Sequence, residues 1–337
     1  MNNDPVPATI DPMKNVAVAN PKAAAGRVRT WWASHRAAIE ERLGPVQVCF
    51  TTGPGDATRL TREAIAGGCE RVLAVGGDGT VNEVVNGFFD EDGEAIGKGG
   101  AAKGAVDEGP TLVVYPGGTG GDFVRSIGLS EVDVIAALDR AVQRPIDVGR
   151  ATYSRADGAI ETRHFINISS FGSSGLIVDK VNKSTKRFGG KASFFLGTVK
   201  GLVQYKNQRV RLRVDEHEEE LKINTVAVAN GRYFGGSMMI APKAILDDGM
   251  LDVVVIGDVG LATFVRYSGD IYKGKHLHLP AIRTFRGRRI EAVPVGKDPV
   301  LIDLDGEQPG QLPVTYEVLH KAIKILAPWQ HAEAVER

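Results

Sequence analysis

Residues 71–89, RVLAVGGDGTVNEVVNGFF, constrain the fold more than any other stretch of the chain. A strand-like apolar run, Arg71 to Val75, meets Gly76-Gly77-Asp78-Gly79-Thr80. A helical pattern follows at once, with Val81, Val84, Val85, Phe88 and Phe89 at i, i+3, i+4, i+7 and i+8. Thr80 followed three residues later by Glu83 reads as a capping box for that helix. A strand that turns on glycines into a helix leaves N–H groups free to hold an anion, and glycines let backbone approach phosphate oxygens. Asp78 adds a carboxylate that would repel phosphate unless a cation lay between them. Nucleotide–metal chemistry fits this combination, and so does an ordinary βα turn with a solvated Asp. The motif is neither the lysine-bearing phosphate loop nor the dinucleotide fingerprint, so other segments must decide.

Those segments repeat the same unit. Asn15 to Ala19 reads as a strand ending at Asn20-Pro21, and helix-like sequence runs on through Trp31, Trp32 and Ile39. Gln47 to Thr51 is a second strand, and Asp56 to Ala66 a helix stopped by Gly67-Gly68. Thr111 to Tyr115 is a fourth strand entering a second glycine turn, 116–122, and Val132 to Val142 is a helix capped by Ser130. Strand and helix alternating at this spacing predict a parallel, doubly wound α/β sheet. Residues 91–110, rich in Gly, Ala and acids, read as a surface insertion.

After Asp147 the texture changes. Arg209 to Val214 alternates charged and aliphatic residues, the period of a half-exposed strand. Further strands are expected at 225–229, 251–256, 289–293, 300–304, 315–319 and 322–326, with helices only near 191–204 and 260–272. The expected organisation is a flexible tail (1–14), an α/β nucleotide domain (15–147, rejoined by about 320–330), and a mainly antiparallel β domain (148–319) with a boundary near Asp147–Arg150.

Composition excludes several classes. The 337 residues carry 41 Lys plus Arg against 41 Asp plus Glu, so no global field favours nucleic acid. Two local basic clusters, Lys183/Lys186/Arg187/Lys191 and Arg286/Arg288/Arg289, read either as solvated surface or as patches for acidic headgroups or phosphate. Cys49 and Cys69 lack metal-ligand spacing, which points to a reducing compartment and no zinc site. No apolar run reaches the roughly 18 residues of a membrane span, and the first residues lack a signal-peptide pattern. A cytoplasmic protein is the expectation. Dimers are the commonest soluble oligomer, and a homodimer stays open.

Further motifs stand in order along the chain: NP at 20–21, Thr51 with Gly55-Asp56-Ala57, GGDGTVNE at 76–83, PGGTGGDFVR at 116–125 and IDVG at 146–149. ANGRYFGG at 229–236, DDGMLDV at 247–253 and LDGE at 304–307 follow. Together they resemble the diacylglycerol-kinase-like lipid kinases, in particular their soluble bacterial branch. That family is related to sphingosine and ceramide kinases and more distantly to NAD kinases and phosphofructokinases. GGDGT alone leaves NAD kinase open, whereas LDGE, DDGMLDV and DFVR favour the lipid kinases.

The resemblance implies a doubly wound nucleotide domain like that of NAD kinase, a β-sandwich-like second domain, and ATP in the cleft between them. It implies nucleotide contacts from Asn20, Thr51, Gly77, Asp78, Gly79, Thr80, Asn82, Glu83, Gly118 and Thr119. Glu307 would be the proton acceptor, with Asp305 beside it needed for activity. Asp78, Asp122 and Asp147 would surround a catalytic Mg²⁺, and Asp248 with the carbonyls of Ile245 and Met250 would hold a structural Mg²⁺. The substrate would be a glycerolipid or sphingoid hydroxyl drawn from a membrane during transient peripheral association.

Three departures matter: Gly121 stands where the family has Asn, Ser173-Ser174 where larger or acidic residues are usual, and the 91–110 insertion is longer than usual. The rival readings are a kinase for a soluble substrate such as NAD, and a catalytically silent nucleotide- or lipid-binding regulator. Asp305 and Glu307 speak against the regulator, because a pure binder needs no base.

Overall fold

A computed structural model describes residues 14–97, 109–116, 121–129, 134–184 and 205–329. Strands β1 (Asn15–Ala19), β2 (Val46–Phe50), β3 (Arg71–Gly76) and β4 (Thr111–Pro116) pair in parallel in the order β2-β1-β3-β4. Their near-continuous apolar runs follow from burial on both faces. Alternate residues point to opposite sides. Val16, Val18, Val72, Ala74, Leu112 and Val114 pack with α3 (Asp56–Ala66) and α4 (Asp78–Asn86). Ala17, Ala19, Leu73, Val75, Val113 and Tyr115 pack with Trp32 and Ile39 of α2 (Val28–Leu43), which follows the one-turn α1 (Ala23–Gly26).

The capping box expected at Thr80 and Glu83 is absent. Helix α4 starts at Asp78 with Gly77 as its cap and no side-chain cap bond. Thr80 therefore lies inside the first turn, packed so closely on Gly76 that a Cβ there would sit 2.4 Å from Thr80 Oγ1. Glu83 serves the neighbouring helix instead, its Oε2 accepting the Ala57 N–H of α3 at 3.1 Å. Gly87 ends α4, so Phe88 and Phe89 are buried beyond the helix rather than on it.

Short helices α5 (Asp122–Ser126) and α6 (Val134–Leu138) follow β4. The helix read to Val142 stops at Leu138, because Val142 already belongs to β5 (Val142–Ser154). Asp147–Arg150, the expected boundary, accordingly lies within β5. The remaining strands are β6 (Ile160–Phe165), β7 (Ile168–Gly172), β8 (Gln208–Val214), β9 (His217–Ile223), β10 (Thr225–Ala229) and β11 (Leu251–Ile256). They are followed by β12 (Ile282–Gly287), β13 (Arg289–Pro294), β14 (Ile302–Leu304) and β15 (Gln311–Ala327). Helices α7 (Ser173–Ser184) and α8 (Leu261–Tyr272) complete the described elements.

Strands β12-β11-β10-β7-β14 form an antiparallel five-stranded sheet. It faces β5, β6, β15, β13, β8 and β9 of the larger sheet across a core that includes Tyr153, Phe171, Leu212, Val226, Val253, Ile290 and Tyr316. Strand β8 shows the expected alternation, burying Val210, Leu212 and Val214 while Arg209, Arg211 and Arg213 face solvent.

One 17-residue strand, β15, replaces the two strands read at 315–319 and 322–326. It bends at His320-Lys321, where Lys321 is left-handed (φ +50°) and the register with β5 shifts. Beyond the bend, Lys324–Leu326 pair in parallel with Thr111–Val113 of β4. Strands β5 and β15 thus run through both halves and tie them together. The expected helix 191–204, the Ser130 cap and residues 1–13 of the tail lie outside the described residues.

Candidate active site

Three parallel strands end on one edge. Asn20 N donates to Val75 O at 3.0 Å and Thr51 N to Ala19 O at 2.9 Å, so Asn20, Thr51 and the Gly77 turn lie side by side. The carboxyl edge of such a sheet is where α/β folds hold ligands. Thr51 and Thr80 are buried there. Gly118 and Thr119, the other nucleotide contacts read from the sequence, lie outside the described residues.

The LDGE segment comes to this edge from the other half. Leu304 and Glu307 exchange both backbone hydrogen bonds (2.8 and 2.9 Å), leaving a two-residue turn with Asp305 at φ +47° and Gly306 at φ +90°. Asp and Gly are the residues that adopt such left-handed positions at low cost. The Asp305 carboxylate then accepts four hydrogen bonds. Asn167 N (3.2 Å) and Ile168 N (2.9 Å) reach Oδ1; Asn82 Nδ2 (2.9 Å) and Ile166 N (3.0 Å) reach Oδ2. A carboxylate has about four acceptor directions, so Asp305 is saturated and clamps the turn to α4 and to the β6–β7 connection. Burial raises its pKa to about 6 against the pull of these donors.

Asp303, a residue the sequence reading passed over, backs the turn from inside. Its Oδ1 accepts Gly306 N at 2.8 Å and its Oδ2 accepts Ser170 Oγ at 3.1 Å. Burial, with Asp305 and Glu307 nearby, raises its pKa to about 7.

Glu307 alone of the three projects into the cleft. Its side chain is 42% exposed. A Cβ built on Gly79 would stand 3.8 Å from Glu307 Oε1, so the carboxylate faces the glycine turn directly. Burial raises its pKa, Arg163 opposes that, and Glu83 adds to it. Asn82 and Glu83, read as nucleotide contacts, also bond to protein: Asn82 Nδ2 bridges His164 O and Asp305, and Glu83 holds Ala57 N.

The acidic residues separate into two places. Asp78 Oδ2 accepts Gly121 N at 2.9 Å. Asp122 accepts Gly236 N (2.9 Å) and Ser237 N (2.7 Å), and its pKa is raised by burial and by the charge of Asp78. Gly121 is left-handed (φ +104°), and its backbone N–H is the group that reaches Asp78. Asp147 faces elsewhere. Fully buried, it accepts Gly249 N (2.6 Å), Lys321 N (2.7 Å) and His320 Nδ1 (2.8 Å), joining the DDGMLD turn to the bend of β15. Among the described residues no three His, Cys, Asp or Glu side chains converge as a ready metal cage.

In the DDGMLD turn, Asp248 Oδ1 accepts Met250 N at 3.0 Å and Oδ2 accepts Arg286, which also approaches Asp252 at 3.4 Å. A metal bound there through Ile245 and Met250 would share the carboxylate with a guanidinium already in place. Arg289 is likewise paired, with Glu291 and Glu317, so two of the three arginines at 286–289 are neutralised locally. His164 stacks on Phe89 at 3.8 Å and burial lowers its pKa to about 4, so it serves the core.

Comparison with known proteins sets this geometry in a family. Residues 14–151 match the diacylglycerol kinase catalytic domain, and 167–327 match the YegS C-terminal NAD kinase beta sandwich-like domain. A diacylglycerol kinase of Bacillus subtilis is 30% identical over 85% of this chain and 87% of its own length. One from Mycobacterium tuberculosis is 27% identical over 81% and 82%. The crystal structure of a diacylglycerol kinase from Bacillus anthracis superposes with a TM-score of 0.66 at 24% identity, covering 93% of this chain and 96% of that one, and so shares the fold.

Proposed function

The chain belongs to the diacylglycerol-kinase family of lipid kinases, and from that premise we propose that it transfers the γ-phosphoryl group of ATP to a hydroxyl of a diacylglycerol-like glycerolipid or sphingoid substrate, with Glu307 as the proton acceptor. The observation that carries this reading is the turn that saturates Asp305 while presenting Glu307 to Gly79. A lipid hydroxyl is far too weak an acid to ionise at neutral pH, so a carboxylate placed at the acceptor assists its attack. The acceptor O–H bond breaks and its proton passes to Glu307. The new O–P bond forms as the bond from the γ-phosphorus to its bridging oxygen breaks, and that electron pair leaves with ADP.

The residues of the glycine edge fit a nucleotide. Among the described residues beyond its own helix backbone and chain neighbours, only Glu307 Oε1 comes within 4 Å of the position a Gly79 Cβ would take, so phosphate has room against the backbone. Asn20, Thr51, Gly77 and Thr80 border that space, with Gly118 and Thr119 as further proposed contacts. Asp78, one oxygen of which is held by Gly121 N–H, would hold a Mg²⁺ with Asp122 behind it. When bound, that ion would neutralise charge on the transferring phosphoryl group.

Asp305 acts through the loop it clamps, and Asp147 through the β5–β15 junction. No helix among the described residues is long and apolar enough to cross a membrane, so the lipid would be reached by transient contact of a cytoplasmic protein with the bilayer surface. The cluster Lys183, Lys186, Arg187 and Lys191, whose side chains lie outside the described residues, is the proposed point of contact. A screen with radiolabelled ATP against a total lipid extract, resolved by headgroup, tests the reading. A labelled lipid supports it, and label found only in a soluble acceptor such as NAD overturns it.

A further inference from the structure

Glu307 has a partner that belongs to none of the motifs. Arg163 Nη1 donates to Glu307 Oε2 at 3.2 Å. Arg163 stands on β6, where strand alternation puts Glu161 on the same face two residues earlier. Glu161 Oε1 takes Arg163 Nε at 2.6 Å, and Arg155 approaches the other Glu161 oxygen at 3.6 Å. The guanidinium is therefore braced from its own strand and reaches forward to the turn with a second N–H. That fork suits a planar, five-donor cation and not a point charge.

As a stabilising contact the pair is worth little. Arg163 is 38% and Glu307 42% exposed, and ion pairs this open add little to folding stability. Its value lies in the company Glu307 keeps. Glu83 from α4, and Asp303 and Asp305 from the β14 end and the turn itself, are all acids. Only β6 brings a cation to the carboxylate among the described groups acting on it. Without that cation, burial and the surrounding acids all favour the protonated carboxyl, which cannot accept a hydroxyl proton.

We propose that Arg163, braced by Glu161, is a positioning residue for Glu307 that orients its carboxylate toward Gly79 and balances its charge in the acid-rich turn. The proposal rests on reading Glu307 as the base, and it adds a requirement from the β5–β6 hairpin to the chemistry of the DGE turn. Arg163 acts through Glu307 and need not touch either substrate. Its loss should therefore lower kcat with little change in KM for ATP.

The test is a titration that does not depend on turnover. Glutamate side chains of the full chain are labelled with ¹³C at the carboxyl, and the Glu307 resonance is assigned by its loss in Glu307→Gln. In Arg163→Gln its midpoint should move upward by about one pH unit, and the acidic limb of kcat/KM should move with it. Arg163→Lys keeps the charge without the fork. Its midpoint should stay near that of the parent while kcat still falls. An Arg163→Gln protein with an unmoved midpoint would overturn the proposal, even if activity were lost. Should that variant fail to fold, Glu161→Gln frees the guanidinium for Glu307 and should lower the midpoint; an unchanged or raised midpoint again refutes the role. If the parent protein phosphorylates no lipid, the reaction assignment fails while the titration still decides Arg163.

Discussion

Asp248-Gly249 and Asp305-Gly306 are the same dipeptide in two turns, with opposite outcomes. At 248–249 the groups look inward: Asp248 is taken by Arg286 and Met250 N–H, and Gly249 N–H goes to Asp147. At 305–306 the turn residues are also consumed, Asp305 by four donors and Gly306 N–H by Asp303, but the next residue is left facing the cleft. That residue is Glu307, whereas the corresponding place in the other turn is Met250. An Asp-Gly pair thus sets a bend, and chemistry depends on which following side chain the surrounding donors leave available. Loops fixed by rigid strands are common homes for such groups.

Breaking the clamp should have the largest effect on stability. In Asp305→Asn the amide can serve one pair of donors, but its NH₂ then opposes the other two. Urea denaturation should show a loss on the order of 3 kcal/mol. If the variant is as stable as the parent, Asp305 is not the clamp described here.

Asp303 sharpens the same comparison through pH. Its folded pKa of about 7 lies above the usual carboxylate value, so the folded state binds the proton more tightly than the unfolded chain. Its contribution to stability is therefore fully present at acid pH and lost as pH rises to about 7. Asp303→Asn can still accept from Gly306 and donate to Ser170, so it should lessen the fall in stability across this range by on the order of 2 kcal/mol, leaving the part that belongs to Asp305. Denaturation midpoints from pH 5 to 8 check it, and an unchanged slope would assign the titration elsewhere.

Gly79→Ala probes the gap instead of the turn. Among the described residues beyond its own helix, the added methyl meets Glu307 Oε1 at 3.8 Å, an ordinary contact. Melting temperature should hold or rise, since Ala replaces Gly in a helix. The methyl would occupy space proposed for phosphate, and turnover should fall about 10-fold or more, the order of one misfitted contact. Full activity would place the nucleotide away from Gly79.

The smallest effect belongs to the other turn. Arg286→Ala removes a half-exposed cation and should cost about 1 kcal/mol or less. Chelator should leave the parent's melting temperature unchanged, because Arg286 already balances Asp248. A fall on chelation would show that a metal shares that carboxylate.

Much of this architecture was legible in the residues because local pattern and global role agree. Asn15–Ala19, Asp56–Ala66, Thr225–Ala229 and Leu251–Ile256 occur at the bounds their apolar patterns set. The buried, serine-bearing β7 escaped that reading, and so did β5, β6, β9 and β12. The half-exposed faces of these last four carry Arg, Glu and Thr, so tertiary pairing and not a clean period defines them. The same cause hid Arg163, which meets Glu307 only through the β5–β6 register. Asp303 was hidden by proximity, since nothing in LIDLDGE marks which acid turns inward. The partners of Asp147 are illegible for a related reason, because sequence order says nothing of the bend at Lys321 that closes over it.

The most direct test of the open-carboxylate account is transfer of ³²P from γ-labelled ATP to diacylglycerol in mixed micelles, with the parent chain and Glu307→Gln measured side by side. The account predicts a single labelled phospholipid from the parent and a loss of about 10²–10⁴-fold in the variant, with the melting temperature preserved. Undiminished labelling by a folded Glu307→Gln protein would contradict it.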